Sequence, residues 1–123
     1  MTVTRVLIAD DERLFREALE LILSAHQRIE VVGQAGDGRQ AVELARDLDP
    51  DVVVLDLSMP GMDGFAAITA MIADEATRRV LVLSGSANPD DIEKATATGA
   101  YGYLTKERIA EDLVPRVLAA ARE

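Results

Sequence analysis

Short apolar segments recur five times along the chain, at residues 6–8, 29–32, 52–55, 80–83 and 101–104, and the first four are rich in β-branched residues. Most of them are apolar at consecutive positions instead of alternating with polar residues. A strand covered on both faces has this pattern, and such strands are typical of parallel sheets. The pattern therefore predicts five short strands, most of them buried.

The segments between these strands carry apolar residues at the spacing of a helix. Three stripes are formed by Phe15, Ala18, Leu19 and Ile22, by Ala41, Leu44, Ala45 and Leu48, and by Phe65, Ile68 and Ile72. A fourth helix has clear end signals, because Asn88 is a candidate N-cap, Pro89 suits the first helical position and Gly99 suits the C-terminal stop. Each of the first three stripes predicts a helix with one side facing a core.

A fifth helix has its apolar stripe at Ile109, Leu113, Val117 and Ala121. Pro115 lies within the same segment, between Leu113 and Val117. Proline lacks a backbone donor and is tolerated only near the start of a helix. The regular part of this helix is therefore predicted to begin between Ala110 and Leu113.

Strand and helix alternate five times, which predicts a doubly wound α/β domain with a parallel sheet. Parallel strands need crossover connections, and these are right-handed. We find no linker, internal repeat or low-complexity segment, so one domain is expected over residues 1–123. In such a domain the active crevice lies beyond the carboxyl ends of the strands.

Composition narrows the classes of function. The chain has 13 basic and 22 acidic side chains, a formal net charge of −9, and no cysteine. The negative charge repels phosphodiester backbones and anionic lipids, so this domain is not expected to bind DNA or a membrane surface. Disulfides and thiolate–metal sites are excluded. No secretory signal or apolar run long enough to span a bilayer is present, and a soluble cytoplasmic protein is expected.

Residues suited to metal and phosphate chemistry follow four of the predicted strands. Asp10 and Asp11 follow the first strand, Asp56 the third, Ser84 the fourth and Lys106 the fifth. Taken singly, the Asp and Ser residues are good helix caps and the lysine is an ordinary surface charge. Together, three carboxylates at neighbouring strand ends repel one another unless a cation neutralises them. Oxygen ligands without a nearby His or Cys suit Mg²⁺.

Residues 56–64, Asp-Leu-Ser-Met-Pro-Gly-Met-Asp-Gly, complete this pattern. With the acidic pair upstream and Ser84 and Lys106 downstream, the chain resembles the receiver domains of response regulators over its whole length. The resemblance implies a flavodoxin-like fold, in which a five-stranded parallel sheet of order 2-1-3-4-5 is flanked by five helices. Residues 99–106 resemble the NarL/LuxR-type branch. Its members usually continue into a helix-turn-helix domain that binds DNA, and we expect such a domain to lie outside these 123 residues.

By this resemblance, Asp56 is the nucleophile that accepts a phosphoryl group from the phosphohistidine of a sensor histidine kinase. The chain would then act in two-component signal transduction, with transcription as the expected output, and not as a classical enzyme. Asp11, the Asp56 carboxylate and the Ser58 backbone carbonyl would hold Mg²⁺, with Asp10 acting through metal-bound water. This chemistry depends mostly on positioning and on stabilising the charge of the phosphoryl oxygens.

The resemblance also assigns roles to three residues at the ends of the last two strands. Lys106 supplies a positive charge and Ser84 a hydroxyl donor to the phosphoryl oxygens. Tyr103 matches the mobile aromatic switch of the family, although it also suits an ordinary half-buried strand-edge tyrosine. Two positions depart from the common pattern, because many receivers have Thr at Ser84 and Pro at Glu107. Without that proline, a cis peptide after Lys106 is not expected.

Phosphorylation is expected to change self-association, with a homodimer forming through the fifth helix. Residues 118–121 are small or apolar almost all round this helix, and Leu21 and Leu23 of the first helix could share the contact. A helix that is apolar on more than one face usually has a second partner. The alternative is that alanines are present only because they favour helix formation.

Three other functions are open to a chain with this pattern. An aspartate-nucleophile phosphatase would carry a second acid two residues after Asp56, where this chain has Ser58. A flavodoxin-like cofactor binder needs hydroxyls and backbone donors after the first strand, where Asp10 and Asp11 would repel phosphate. A pseudo-receiver that works as an interaction module without phosphorylation is the remaining alternative.

Overall fold

Five strands and five helices alternate along the chain in the computed structural model, which describes residues 2–57, 59, 63–73, 79–85 and 88–122. The strands are β1 (Thr4–Ala9), β2 (Ile29–Ala35), β3 (Val52–Asp56), β4 (Arg79–Ser84) and β5 (Gly102–Thr105). The helices are α1 (Arg13–Ser24), α2 (Gly38–Leu48), α3 (Gly64–Ala73), α4 (Pro89–Thr98) and α5 (Ile109–Arg122). A short 3-10 helix, Lys106–Arg108, connects β5 to α5.

The strands form one parallel sheet in the order β2-β1-β3-β4-β5. The predicted doubly wound, flavodoxin-like fold is therefore confirmed. β3 is the central strand, and all five of its residues are buried. Because the strands are parallel, their carboxyl ends lie at the same edge of the sheet.

Helices cover both faces of this sheet, which explains why its strands are apolar at consecutive positions. Leu7 and Val53 face a core shared with α2, α3 and α4. Val6 and Val54 face a second core shared with α1 and α5. Alternate residues of one strand thus belong to different cores.

In three helices most of the predicted inward residues are buried or half-buried, but one predicted residue of each helix is exposed. The buried ones are Leu19, Ile68, Ile109, Leu113 and Val117. Leu23, Met71 and Ala120 are buried, whereas Ala18, Ile72 and Ala121 are exposed. One residue along an α-helix turns the side chain by about 100°. Where two apolar residues are adjacent, the spacing alone does not decide which of them points inward.

The predicted ends of α4 are confirmed. The Asn88 side chain accepts a hydrogen bond from the Asp90 backbone N–H at 2.9 Å, and Pro89 is the first helical residue. Gly99 ends the helix with a φ of 116°, a left-handed conformation that glycine adopts without steric cost.

The predicted start of α5 was wrong. The helix begins at Ile109 and continues through Pro115 to Arg122. Ile109 and Leu113 are both buried in the core beneath α1 and α5. Pro115 is exposed, as is Glu111 one turn earlier, so the carbonyl left without a donor lies on the solvent side of the helix. Burial of the inner face therefore outweighs the cost of an internal proline.

Candidate functional site

The residues predicted to form a site lie together at the carboxyl edge of the sheet. Asp10 follows β1, Asp56 is the last residue of β3, Ser84 is the last residue of β4 and Lys106 follows β5. Asp10, Asp56 and Ser84 are 0%, 2% and 5% exposed. Buried polar groups at this edge need partners, because burying an uncompensated polar group costs free energy.

Three carboxylates converge closely enough to share one cation. Oxygen atoms of Asp10, Asp11 and Asp56 lie within 4.8 Å of one another. Asp10 and Asp56 are buried, whereas Asp11 is exposed at the mouth of the crevice. This all-oxygen donor set has the chemistry that Mg²⁺ prefers. Ser58, predicted to contribute its carbonyl, lies outside the described residues.

Lys106 bridges the two buried carboxylates. Its Nζ lies 3.4 Å from an Oδ2 atom of Asp10 and 3.4 Å from an Oδ2 atom of Asp56. The same ammonium lies 4.5 Å from the centre of the Phe15 ring. The lysine side chain thus points into the crevice, and the alternative that it is an ordinary surface charge is wrong.

The charges in this crevice perturb one another. Burial raises the pKa of Asp10, and the neighbouring Asp56 charge raises it further, against the hydrogen bond from the Glu12 N–H and the charge of Lys106. Burial lowers the pKa of Lys106, but the charges of Asp56 and Asp10 outweigh it, so the pKa of Lys106 lies above its usual value. The charge of the ionised Asp10 is therefore incompletely compensated by its neighbours, and the crevice favours binding of a further cation.

Hydrogen bonds fix the turn that carries Asp10. Its backbone N–H donates to the Ala35 carbonyl at 3.0 Å, and its Oδ1 accepts from the Glu12 N–H at 2.8 Å. The Arg16 guanidinium donates to the Asp10 carbonyl at 2.7 Å and to the Gln34 side chain at 3.2 Å. Sequence reasoning missed this use of Arg16. An arginine near a helix start has no local signal that separates such a role from a surface charge.

Ser84 and Tyr103 lie where the sequence placed them, on the last two strands. Ser84 pairs in register with Thr105, next to Lys106. Tyr103 is half-buried and packs against the core beneath α2, α3 and α4. Its role as a switch stays a prediction. The Lys106–Glu107 peptide is trans, since the described residues contain no cis bond.

The chain belongs to the response regulator receiver domain family, which residues 6–118 match. It is 38% identical over 116 residues to the nitrate/nitrite response regulator protein NarL of Escherichia coli, covering 94% of this chain and 54% of that protein. It is 42% identical over 119 residues to the transcriptional regulatory protein PdtaR of Mycobacterium tuberculosis, covering 96% and 57%. The chain thus spans little more than half the length of these relatives.

Solved structures agree with this assignment and with the NarL/LuxR-type branch. The signal receiver domain of a response regulator NarL from Mycobacterium tuberculosis has a TM-score of 0.95 and 38% identity, covering 99% of this chain and 98% of that one. A LuxR-family two-component response regulator from Aurantimonas has a TM-score of 0.93 and 29% identity, covering 98% and 86%. The branch predicted from residues 99–106 is confirmed.

Membership of this family bears on the acidic cluster and on the partners of the domain. Receiver domains bind Mg²⁺ at an acidic pocket, and Asp10, Asp11 and Asp56 form a cluster that can hold such an ion. Receiver domains also interact with histidine kinases, and LuxR-family regulators bind DNA through another domain. Among the described residues, none of the helices has the length and apolar character needed to cross a membrane.

Proposed function

We propose that this domain accepts a phosphoryl group on Asp56 from a sensor histidine kinase, with Mg²⁺ as the cofactor. The observation that carries this proposal is the surroundings of the Asp56 carboxylate. It is buried at the end of the central strand, 3.4 Å from the Lys106 ammonium and within 4.8 Å of two further carboxylates. The crevice thus combines a nucleophile, Asp56, with the positive charge of Lys106 and a cluster of carboxylates that can bind a metal ion.

In the proposed reaction, an Asp56 carboxylate oxygen attacks the phosphorus atom of the kinase phosphohistidine. A P–O bond forms, the P–N bond breaks and the histidine leaves. The Lys106 ammonium stabilises the negative charge on the transferred oxygens. Asp11, Asp56 and the Ser58 carbonyl would hold Mg²⁺, with Asp10 bonded to its water. When bound, the ion neutralises the clustered carboxylates and the phosphoryl oxygens.

The signal would leave the crevice through the last two strands. We propose that the Ser84 hydroxyl donates to a phosphoryl oxygen and that Tyr103 changes its packing as Ser84 moves. Tyr103 packs against the core beneath α4, so a change there would reach α4 and β5. Slow hydrolysis of the acyl phosphate would return the domain to its first state.

The output that this account supports best is transcription. The chain spans 54% of its NarL relative, so a DNA-binding domain would lie in the rest of a longer regulator. The net charge of −9 argues against DNA binding by residues 1–123 themselves. We place the protein in the cytoplasm. A pseudo-receiver is disfavoured because the acceptor, the acidic cluster and the lysine are all assembled.

Phosphorylation is also proposed to drive self-association through the surface formed by α1 and α5. Leu14 and Leu21 of α1 are 80% and 75% exposed, two turns apart on one side of the helix. Leu118 of α5 is half-buried and packs against the core beneath α1 and α5. Leu23 is fully buried and cannot share the contact, contrary to the expectation from the sequence.

The proposal is tested by incubating the domain with a small phosphodonor and recording its intact mass. We expect wild type to gain one phosphoryl group in Mg²⁺ and to gain none when the ion is chelated. Asp56→Asn should gain none in either buffer. A stable phosphoryl mass on Asp56→Asn, formed as fast as on wild type, would show that the assignment is wrong.

A further inference from the structure

The Lys106 ammonium has a third contact that is neither a carboxylate nor a hydrogen bond. The Phe15 ring, from the first turn of α1, lies 4.5 Å from Nζ, measured to the ring centre. Phe15 is half-buried and packs against the core beneath α1 and α5. The ring is therefore held by the fold and is not a loose surface group. At this distance a ring face attracts an ammonium.

This contact differs from the two ion pairs in what happens when the site is occupied. A cation in the crevice competes with Lys106 for Asp10, and phosphorylation of Asp56 moves the negative charge that the lysine contacts from the carboxylate to the phosphoryl oxygens. The ring binds through its π face and offers no lone pair to a metal or a phosphate. It therefore continues to attract the ammonium after both carboxylates are engaged.

Without such a contact the ammonium could turn away from the crevice into solvent. Lys106 has a flexible four-carbon stem, and its side chain is 25% exposed, so solvent is within reach. A lysine that extends into water cannot stabilise charge on the transferred oxygens. If the Lys106 ammonium is already held in place before the reaction, the cost of ordering it does not add to the activation free energy.

We infer that Phe15 is a positioning residue, whose ring keeps the Lys106 ammonium beside the Asp56 acceptor while metal and phosphate occupy the crevice. The inference rests on the proposed phosphoryl transfer. It goes beyond that proposal because it assigns a role in the transfer to a side chain that touches neither the acceptor nor the metal site in the contacts described above.

The chain contains a matched control. Lys94 of α4 lies 4.3 Å from the centre of the Phe65 ring, in a second lysine–ring pair. Phe65 packs against the core on the opposite face of the sheet from Phe15. Removal of the Phe65 ring thus tests what the loss of a lysine–ring contact does to the fold, away from Lys106.

The experiment compares Phe15→Leu, Phe15→Trp and Phe65→Leu with wild type. Leucine keeps apolar bulk without a π face, whereas tryptophan keeps the face. At saturating Mg²⁺ and phosphodonor, Phe15→Leu should be phosphorylated about threefold to tenfold more slowly, the range expected for an ammonium–ring contact. Phe15→Trp and Phe65→Leu should stay within roughly twofold of wild type. The Mg²⁺ affinity of Phe15→Leu, measured by calorimetry, should be unchanged.

A second readout does not depend on phosphorylation. Protons on the Lys106 carbon next to the ammonium should resonate upfield in wild type because of the ring above them. This shift should be lost in Phe15→Leu and kept in Phe65→Leu. Retention of the shift during Mg²⁺ titration would support the claim that the contact survives occupation of the site.

Three results would overturn the inference: an unchanged rate in Phe15→Leu, a failure of Phe15→Trp to restore it, or an equal loss in Phe65→Leu. Each presupposes that wild type is phosphorylated. Should wild type take up no phosphoryl group, the proposed function fails, whereas the resonance shift still reports whether the ring holds the lysine.

Discussion

Asp10 is the most deeply buried acidic residue of the crevice. Its carboxylate is fully buried, and burial together with the Asp56 charge raises its pKa above the usual 3.8. Its neighbour Asp11 is exposed, so the two members of the acidic pair differ in burial. In the absence of a cation, the ionised Asp10 therefore lowers the stability of the fold.

We predict that Asp10→Asn stabilises the metal-free domain. Asparagine keeps an acceptor for the Glu12 N–H and removes the buried charge. In a chelating buffer at neutral pH the melting temperature should rise by roughly 2–5 °C. Because the folded pKa is raised, the carboxylate's destabilising effect grows as pH rises above 3.8, so the advantage of the variant should shrink toward acid. A lower melting temperature at neutral pH would contradict this balance of charges.

Asp11 should control the response to Mg²⁺. An ion that binds only the assembled cluster stabilises the fold, by about 1.4 kcal/mol at ten times its Kd. We predict that Asp11→Ala abolishes most of the Mg²⁺-induced rise in melting temperature. Glu30→Ala removes an exposed charge from β2 and should keep the full rise. An equal rise in both variants would indicate general screening.

At the scale of single residues, the sequence predicted which site side chains lie close together, but it did not predict which other residues hold them in position. Asp10, Asp56, Ser84 and Lys106 were predictable because each lies at or directly after the end of a strand, and parallel strands end at one edge. The contact between Phe15 and Lys106 was not predictable. It joins α1 to the end of β5, and helical spacing reports only which side of a helix faces inward.

Among the secondary structure elements, strands and helix caps follow local rules more closely than helix interiors do. β3 extends one residue beyond the predicted run at its carboxyl end and β4 one residue beyond it at each end. This close agreement arises because both strands are buried on two faces. α4 begins and ends at its cap residues. α5 departs from its local signal, since burial of Ile109 and Leu113 carries the helix through Pro115.

The cost of that internal proline should be measurable. Pro115→Ala restores a donor to the helix and removes the clash of the ring with the preceding turn. We predict that it raises the free energy of unfolding by about 1–2 kcal/mol, after allowance for the greater entropy of the unfolded chain. Urea denaturation gives this value.

Pro89→Ala is the control, because Pro89 is the first residue of α4 and replaces no helical hydrogen bond. It should leave the domain equally stable or slightly less stable. If Pro115→Ala gives no gain over this control, the helix is not strained at Pro115.

For the molecule as a whole, the parallel sheet has two consequences. It brings Asp10, Asp56, Ser84 and Lys106 together in one crevice. It also places helices on both faces, where a conformational change at the crevice can reach the surface of the domain. α1 and α5 lie on the same face and contact each other, and α1 there exposes Leu14 and Leu21. An exposed apolar stripe beside a second helix is a candidate surface for a second copy.

We predict that beryllium fluoride with Mg²⁺, which mimics the phosphoryl group, shifts the domain from monomer toward dimer. Sedimentation velocity should show this shift in wild type and its loss in Leu21→Glu and Leu118→Glu. Ile92→Glu changes an exposed apolar residue of α4 and should dimerise normally. Loss of association in the Ile92 variant alone would place the interface on α4 instead.

Locating the acyl phosphate tests the central claim most directly. After reaction with a phosphodonor in Mg²⁺, borohydride reduces an aspartyl phosphate to homoserine, and peptide mass spectrometry identifies the position. The account predicts homoserine at Asp56, with Asp10 and Asp11 unchanged. Homoserine at Asp10 or Asp11, or at any other carboxylate with Asp56 intact, would contradict it.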